Sequence, residues 1–421
     1  MAIIGLGYVG LPLSVCVSKI GFRVMGLDIN VDRVLQLSRG ESYISDVDFR
    51  DLAPLVASGR LSASSDFDLL AKADVIIICV PTPLTKNHEP DISYIENATR
   101  EIAQRLRPGQ FVTLESTTFP GTTEEVMLPI LETSGLIVGR DFFLAHSPER
   151  VDPGNARYTT HNTNKVVGGY TPACQSVAAA FYRKSILDII SVSSPGCAEM
   201  VKVFENTFRA VNIALVNELA LLCDKMGLNI WEVVEAAATK PFGMLSFHPG
   251  PGVGGHCIPI DPYYLTWKAR EYNFHTRFIE LAGEINSHMP HFVWEKIIKA
   301  LGKQGKPLFK AKVLILGMAY KQDLSDWRHS PGLDLLHILQ GDEAKVLYND
   351  PHVPEIQDKH GKTHVSQPLT EALLQAVDCV VIITSHSVYD WEWIVTHSPI
   401  VVDTRNACAT VLSPREKIVL L

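Results

Sequence analysis

The sequence predicts an α/β protein: two Rossmann-like, doubly wound domains joined by a long central helix and a helical dimerisation region. Three observations carry this. Segments that read as strand, glycine turn or loop, helix and strand open the chain and return from Lys312. Between them, Cys197 to Met226 keeps helical periodicity with no internal proline or glycine, about thirty residues and therefore roughly 45 Å. The 421 residues are enough for two or three buried cores. The expected domains are residues 1–195, 196–305 and 306–421.

The first element is "MAIIGLGYVGLPLSVCVSKIGFRVMGLDIN". Gly5, Gly7 and Gly10 form GxGxxG around Tyr8 and Val9, and Asp28 closes the second strand about 20 residues on. Such glycines let the backbone approach a pyrophosphate at a helix N-terminus, while the acid accepts hydrogen bonds from a ribose and repels a 2′-phosphate. The expected cofactor is NAD. Met1 stands only four residues before Gly5, so the first strand is expected to be cut short.

"ADVIIICVPTPLT" and "FVTLESTT" then read as buried strands ending in small polar residues. Thr82, Ser116 and Thr117 fall where a ligand lies in an open parallel sheet, although threonine at a strand end also serves simply to form a turn. "AHSPERVDPGN" sets Glu149 and Arg150 in a loop.

On the long helix Lys202 and Asn206 are four residues apart and share a face, either solvated or aimed at a site. The third segment, from "KVLILGMAYKQDLSDWRHSPGLDLLHIL", has only Gly317 in its first turn, so a second NAD is not expected there. Its loops carry Lys321, Arg328 and Arg405, read as surface charges or as partners for a pyrophosphate. "GVGGHCIPID" places Cys257 after a glycine run, as a packed small side chain or a presented nucleophile.

Composition excludes several classes. The chain has 38 basic and 46 acidic residues, for a formal charge of −8, and no basic block suited to nucleic acid. No apolar run is long enough to span a bilayer, and no signal peptide is expected ahead of the first domain. Eight scattered cysteines without a CxxC pair point away from disulfides and zinc and toward a reduced, cytoplasmic setting; no metal is expected.

GLGYVG, VPTP (Val80 to Pro83), EST (Glu115 to Thr117), SPER (Ser147 to Arg150), GGHCIPIDP (Gly254 to Pro262) and SPG (Ser330 to Gly332) together resemble the nucleotide-sugar 6-dehydrogenases, the UDP-glucose/UDP-N-acetylhexosamine family. The likeness covers almost the whole chain and is strongest to its UDP-N-acetylglucosamine branch. It implies a four-electron, NAD-dependent oxidation of a C6 hydroxyl to an acid through a cysteine thiohemiacetal and thioester, supplying surface polysaccharide synthesis. By the same resemblance Cys257 is the nucleophile, and Lys202 and Asn206 stabilise an oxyanion. Asp261 acts as base with a water, while Glu149 and Thr117 handle water and hydrolysis. Gly5 to Gly10, Asp28, Arg33, Thr82, Thr117 and Arg328 match the cofactor site. Tyr320, Lys321, Arg405 and the glycines Gly250, Gly252 and Gly254 match the UDP-sugar site, with Glu149, Arg150, Lys202 and Asn206 about the sugar. His256 reads as a packing histidine. UDP-glucose enzymes carry a further glutamate where this chain has Pro153, which turns the expectation from plain glucose toward an N-acetylhexosamine. The implied partner is a UDP-sugar, and the implied assembly a homodimer through the central helices. The competing reading within the family is a UDP-N-acetylmannosamine or UDP-glucose 6-dehydrogenase; a single-hydride hydroxyacid dehydrogenase and an inactive nucleotide-binding regulator are the more remote ones.

Overall fold

Short apolar strands build two largely parallel sheets in this computed structural model, which describes residues 1–44, 47–85, 87, 89–151 and 157–421. The described chain divides into two compact units: Met1–Asn206 with Ile260–His275, and Thr207–Pro259 with Thr276–Leu421.

In the first unit the strands are β1 (Ala2–Ile4), β2 (Val24–Leu27), β3 (Leu61–Ser64), β4 (Val75–Ile78), β5 (Phe111–Leu114), β6 (Phe143–His146), β7 (Lys165–Gly169) and β8 (Ile189–Val192). Their order is β3-β2-β1-β4-β5-β6-β7-β8. Neighbours pair in parallel except β6 and β7, where Ala145 lies opposite Gly169 and His146 opposite Gly168. β1 has three residues, in keeping with its expected shortness. Both faces of the sheet are covered, so its central strands are apolar at almost every position: Ile76, Ile77 and Ile78 of β4 are all fully buried. The chain reverses direction of travel between β1 and β4, which opens a crevice beyond their carboxyl ends.

In the second unit β9 (Lys312–Leu316), β10 (Lys345–Asn349), a hairpin of β11 (Glu355–Gln357) and β12 (Thr363–Val365), then β13 (Cys379–Ile382), β14 (Val401–Asp403) and β15 (Ile418–Leu420) follow. The parallel sheet runs β10-β9-β13-β14-β15. Helix Arg277–Lys303 packs on it through Met289, Val293, Ile297 and Leu301.

The helix expected at Cys197 to Met226 spans Pro195–Met226, 32 residues, and the division between units falls inside it, after Asn206. Among the described residues no helix is long and apolar enough to cross a membrane.

Candidate functional site

Every site residue predicted in the first sheet follows the carboxyl end of a strand: Gly5 after β1, Asp28 after β2, Thr82 after β4, Thr117 after β5 and Glu149 after β6. Gly5 has φ of +90°, and a Cβ there would come 2.5 Å from the Cys79 carbonyl oxygen. A Cβ on Gly10 would come 1.8 Å from the Gly5 carbonyl oxygen, so turn and helix Gly10–Lys19 close up only with glycine at both places. Gly7 differs: a Cβ there would meet nothing within 4 Å. The turn is therefore tight within and open above Gly7, beside the exposed Tyr8 and the half-buried Val9.

Asp28 is almost wholly buried, and its carboxylate is fixed by the backbone N–H groups of Leu6 (2.9 Å) and Asn30 (2.8 Å). Arg33 approaches it at 3.5 Å and lies over the Tyr43 ring, whose hydroxyl donates to the Leu6 carbonyl at 2.7 Å. This open glycine turn with an anchored carboxylate one strand away fits the pyrophosphate and ribose of NAD, which Gly5, Gly7, Gly10 and Asp28 would hold.

Beyond β4, the Thr82 carbonyl accepts the Tyr264 hydroxyl at 2.6 Å, pinning helix Asp261–Ala269 to that loop. Ser116 donates to the Val80 carbonyl at 2.8 Å, and Thr117 beside it is half-buried. Asp261 heads its helix with Pro262 in the first turn, and Asn206 Nδ2 donates to its Oδ2 at 2.5 Å. Burial pushes the Asp261 carboxyl up to about 6, against the pull of the Lys202 ammonium and the Asn206 hydrogen bond. Lys202, Asn206 and Asp261 thus form one buried group within the first unit, and the i, i+4 pair on the long helix faces inward.

Arg150, expected near the sugar, is paired within the protein. Its Nε (3.3 Å) and Nη2 (2.5 Å) both donate to Glu205, and Nη1 donates to the Asn164 carbonyl at 2.7 Å. Those donors are committed to protein partners, so Arg150 ties the SPER loop to the long helix. Pro153 lies outside the described residues.

In the second unit the glycine run is close-packed on the other predicted substrate residues. A Cβ on Gly250 would come 2.6 Å from Arg405 Nη1, and one on Gly254 would come 2.8 Å from the Tyr320 Cβ. Gly252 has φ of +127°. Gly250, Gly252, Gly254, Tyr320 and Arg405 therefore come together, with Lys321 next to Tyr320 in the loop after β9. Arg405 donates Nε to the Ile383 carbonyl at 2.7 Å, and burial draws its guanidinium down to about 10, still charged near neutrality. Arg328 pairs in a fork with Asp326, at 2.9 and 2.8 Å. His256 stands edge-on to Tyr320 and His329, and burial lowers its pKa, with the Arg328 charge acting in the same direction. Cys257 belongs to this unit and is exposed, whereas Cys79, Cys174, Cys223, Cys379 and Cys408 are buried.

Among the described residues one group, Asp323, His352 and His386, brings three ligand-type atoms within 4.8 Å. Both nitrogens of His386 are already used: Nδ1 accepts the Asp323 N–H at 2.9 Å, and Nε2 faces Asp350 Oδ2 at 3.0 Å.

Sequence reasoning missed two buried ionic features of the first unit. Glu199 of the long helix accepts the N–H of Gly121 (2.6 Å) and both N–H (2.9 Å) and Oγ1 (2.6 Å) of Thr123, holding the loop after β5. Lys165, which opens β7, lies between Glu115 and Glu149. Nothing local marks either residue: β7 is buried at every position, and the partners of both lie far off in sequence.

A doubly wound sheet with an open glycine turn at its switch point and an anchored acid after the second strand defines a dinucleotide-dependent oxidoreductase. Residues 1–186 match the NAD binding domain of the UDP-glucose/GDP-mannose dehydrogenase family, residues 197–288 its central domain and residues 314–410 its UDP binding domain. The chain belongs to this family. It is 36% identical over 414 residues to the UDP-N-acetyl-D-mannosamine dehydrogenase of Pyrococcus horikoshii, covering 96% of this chain and 95% of that one. It is 37% identical over 391 residues to the UDP-N-acetyl-D-glucosamine 6-dehydrogenase of Pseudomonas aeruginosa, covering 92% and 90%. The solved structure of the Pyrococcus horikoshii UDP-D-ManNAc dehydrogenase superposes with a TM-score of 0.89 at 35% identity, over 100% of this chain and 98% of the other.

Proposed function

We propose that this protein oxidises the C6 hydroxymethyl group of UDP-N-acetyl-D-glucosamine to the carboxylate, with Cys257 as covalent nucleophile. The observation that carries the reading is the buried Asp261, held by Asn206 beside Lys202 and raised to about 6, where a carboxylate works as a base near neutral pH. Cys257 is four residues earlier in the chain and presents its thiol at the surface of a glycine turn.

NAD, when bound, accepts one hydride in each of two oxidations. Asp261, through a water, takes the hydroxyl proton as the alcohol becomes the aldehyde. The Cys257 thiolate then adds to the aldehyde carbon, forming a C–S bond and an alkoxide that Lys202 and Asn206 stabilise until it is protonated as the thiohemiacetal. Loss of that hydroxyl proton with the second hydride leaves a thioester. Water adds to the thioester carbon, Glu149 takes its proton with Thr117 alongside, and the C–S bond breaks to return the thiolate. The UDP moiety falls to Tyr320, Lys321, Arg405 and the packed glycines Gly250, Gly252 and Gly254.

The acetamido substituent is favoured by the relatives, several of which are named for N-acetylated sugars. The gluco epimer follows the motif resemblance and the Pseudomonas aeruginosa relative; a manno substrate is the second reading, favoured by the Pyrococcus horikoshii relative. Arg150 gives three of its five N–H groups to Glu205 and Asn164 and stays the proposed donor to the acetamido carbonyl.

We assign residues 196–305 to dimer formation. Met200, Phe204, Phe208, Leu215, Leu219, Leu222 and Met226 are all exposed at three-, four- or seven-residue intervals along one helix, a seam suited to a second copy.

Kinetics on UDP-N-acetylglucosamine, UDP-N-acetylmannosamine and UDP-glucose, with NADH and acid both quantified, test the reading. The expected result is two NADH per acid and the highest kcat/KM for UDP-N-acetylglucosamine, with no acid formed by Cys257→Ala. One NADH per substrate, or full acid production by the alanine variant, would defeat the covalent mechanism. A win for the manno sugar overturns the epimer, and a win for UDP-glucose overturns the acetamido assignment.

A further inference from the structure

Lys165 is an ion at a depth where lysine rarely stays charged. Its side chain is 5% exposed, and its ammonium is 2.7 Å from Glu115 Oε2 and 3.8 Å from Glu149 Oε2. Desolvation acts to strip its proton, but the two carboxylates reverse that and hold its pKa above the ordinary lysine value. Glu115 is wholly buried, and its other oxygen accepts the Tyr182 hydroxyl at 2.7 Å. Among the described residues Glu149 is anchored at Oε1, which accepts the N–H groups of Arg150 and Val151, both at 2.8 Å. Its Oε2 faces Lys165 at a distance that balances charge without forming a direct hydrogen bond.

Among the described residues, the other ionisable groups around this chain of charges do not replace the cation. The Cys16 thiol from the first helix and the Cys79 thiol after β4 are kept protonated by burial. His146 at the end of β6 is buried, and desolvation holds it neutral, its pKa drawn down to about 3. Arg150 turns its guanidinium to Glu205 of the long helix. Lys165 is thus the cation between two carboxylates, one structural and one at the proposed hydrolytic position.

We propose that Lys165 is a positioning residue for thioester hydrolysis: its ammonium, held by the buried Glu115, faces Glu149 Oε2 without bonding it directly and leaves that oxygen to a water. The inference rests on the reading of Glu149 as the group that takes the proton of the hydrolytic water. Without the ammonium, two carboxylates share a poorly solvated space and one of them takes up a proton.

The test measures the NADH burst and steady acid release against pH in the full-length enzyme, with folding followed by thermal melting and NAD affinity. Lys165→Met is expected to keep the burst, to slow acid release by about tenfold or more and to move its acid limb up by about one pH unit or more. Lys165→Arg should retain the wild-type limb, and Lys165→Met/Glu115→Gln should bring the limb back down, because the competing anion is gone. Glu115→Gln alone, which leaves Lys165 to Glu149, should move the limb below wild type and carries the test if Lys165→Met does not fold. A wild-type limb in Lys165→Met, or a double variant no different from it, overturns the proposal. Slow hydrolysis in Glu149→Gln with a normal Lys165→Met overturns this proposal alone; unimpaired hydrolysis in Glu149→Gln overturns the role of Glu149 and this proposal with it.

Discussion

One methyl group added at Gly7 and one at Gly10 should separate cofactor binding from folding. At Gly10 the new carbon would stand 1.8 Å from the Gly5 carbonyl oxygen and 3.0 Å from its carbon. Nonbonded heavy atoms rest roughly 3.5 Å apart, so turn and helix would have to separate by more than ~1.5 Å. Gly5 has no room to retreat, since it lies against the Cys79 carbonyl. Overpacking of this kind costs on the order of 1–3 kcal/mol, which lowers the melting temperature by roughly 2–12 °C in a unit of this size. At Gly7 the same methyl meets nothing within 4 Å, and the backbone there needs no positive φ. Gly7→Ala should therefore melt within about 1 °C of wild type, yet bind NAD about tenfold more weakly, a loss of ~1.4 kcal/mol. Thermal melting without ligand, paired with calorimetric titration of NAD, reads both quantities. Wild-type NAD affinity in Gly7→Ala would refute the assignment of the open space above Gly7 to the pyrophosphate. An unchanged melting temperature in Gly10→Ala would refute the close packing.

The raised carboxyl of Asp261 predicts an acid limb near pH 6 in kcat/KM, activity falling as pH drops and the base is protonated; Asn206→Ala removes a donor to the ionised form and should move that limb upward, read from pH–rate profiles. Asp28→Ala should narrow the preference for NAD over NADP and also lose on the order of 1–3 kcal/mol of stability, because the Leu6 and Asn30 N–H groups lose their acceptor. Asp28→Asn, which keeps an acceptor, should narrow the preference with a smaller drop in melting temperature. Phe204→Asp with Leu219→Asp should shift sedimentation from dimer to monomer with the melting of each unit retained; a persistent dimer would remove the helix seam from the assembly.

Local pattern and long-range contact divided what could be read in advance. Gly5, Gly7, Gly10 and Asp28 were readable because their constraint is local: a turn, a helix start and a strand end at fixed offsets. The long helix was readable because thirty residues of unbroken periodicity outweigh any single propensity. The environment of Lys165 was not, because a lysine at the start of a strand ordinarily faces water and its partners come from 50 and 16 residues away. The partner of Arg150 was hidden for the same reason, since Glu205 is 55 residues distant. The antiparallel turn of β7 against β6 also has no local mark: "NKVVGG" is an apolar strand in either direction.

The first unit is completed by a segment that the ribosome makes late. Its sheet is built by residues up to Val192, but the helix that donates Tyr264 to the Thr82 carbonyl, Lys268 to Glu125 and Trp267 to Phe119 arrives only with residues 260–275. At ordinary elongation rates the roughly 70 residues after Asn206 take ~4–14 s to synthesise. Through that interval a nascent chain already able to form its sheet waits with a carbonyl, a carboxylate and an aromatic face unmatched. A fragment stopped at Asn206 makes that waiting state permanent: one cut yields the nucleotide-binding sheet without the helix that matches those groups. A shortened version needs residues 260–275 spliced back on.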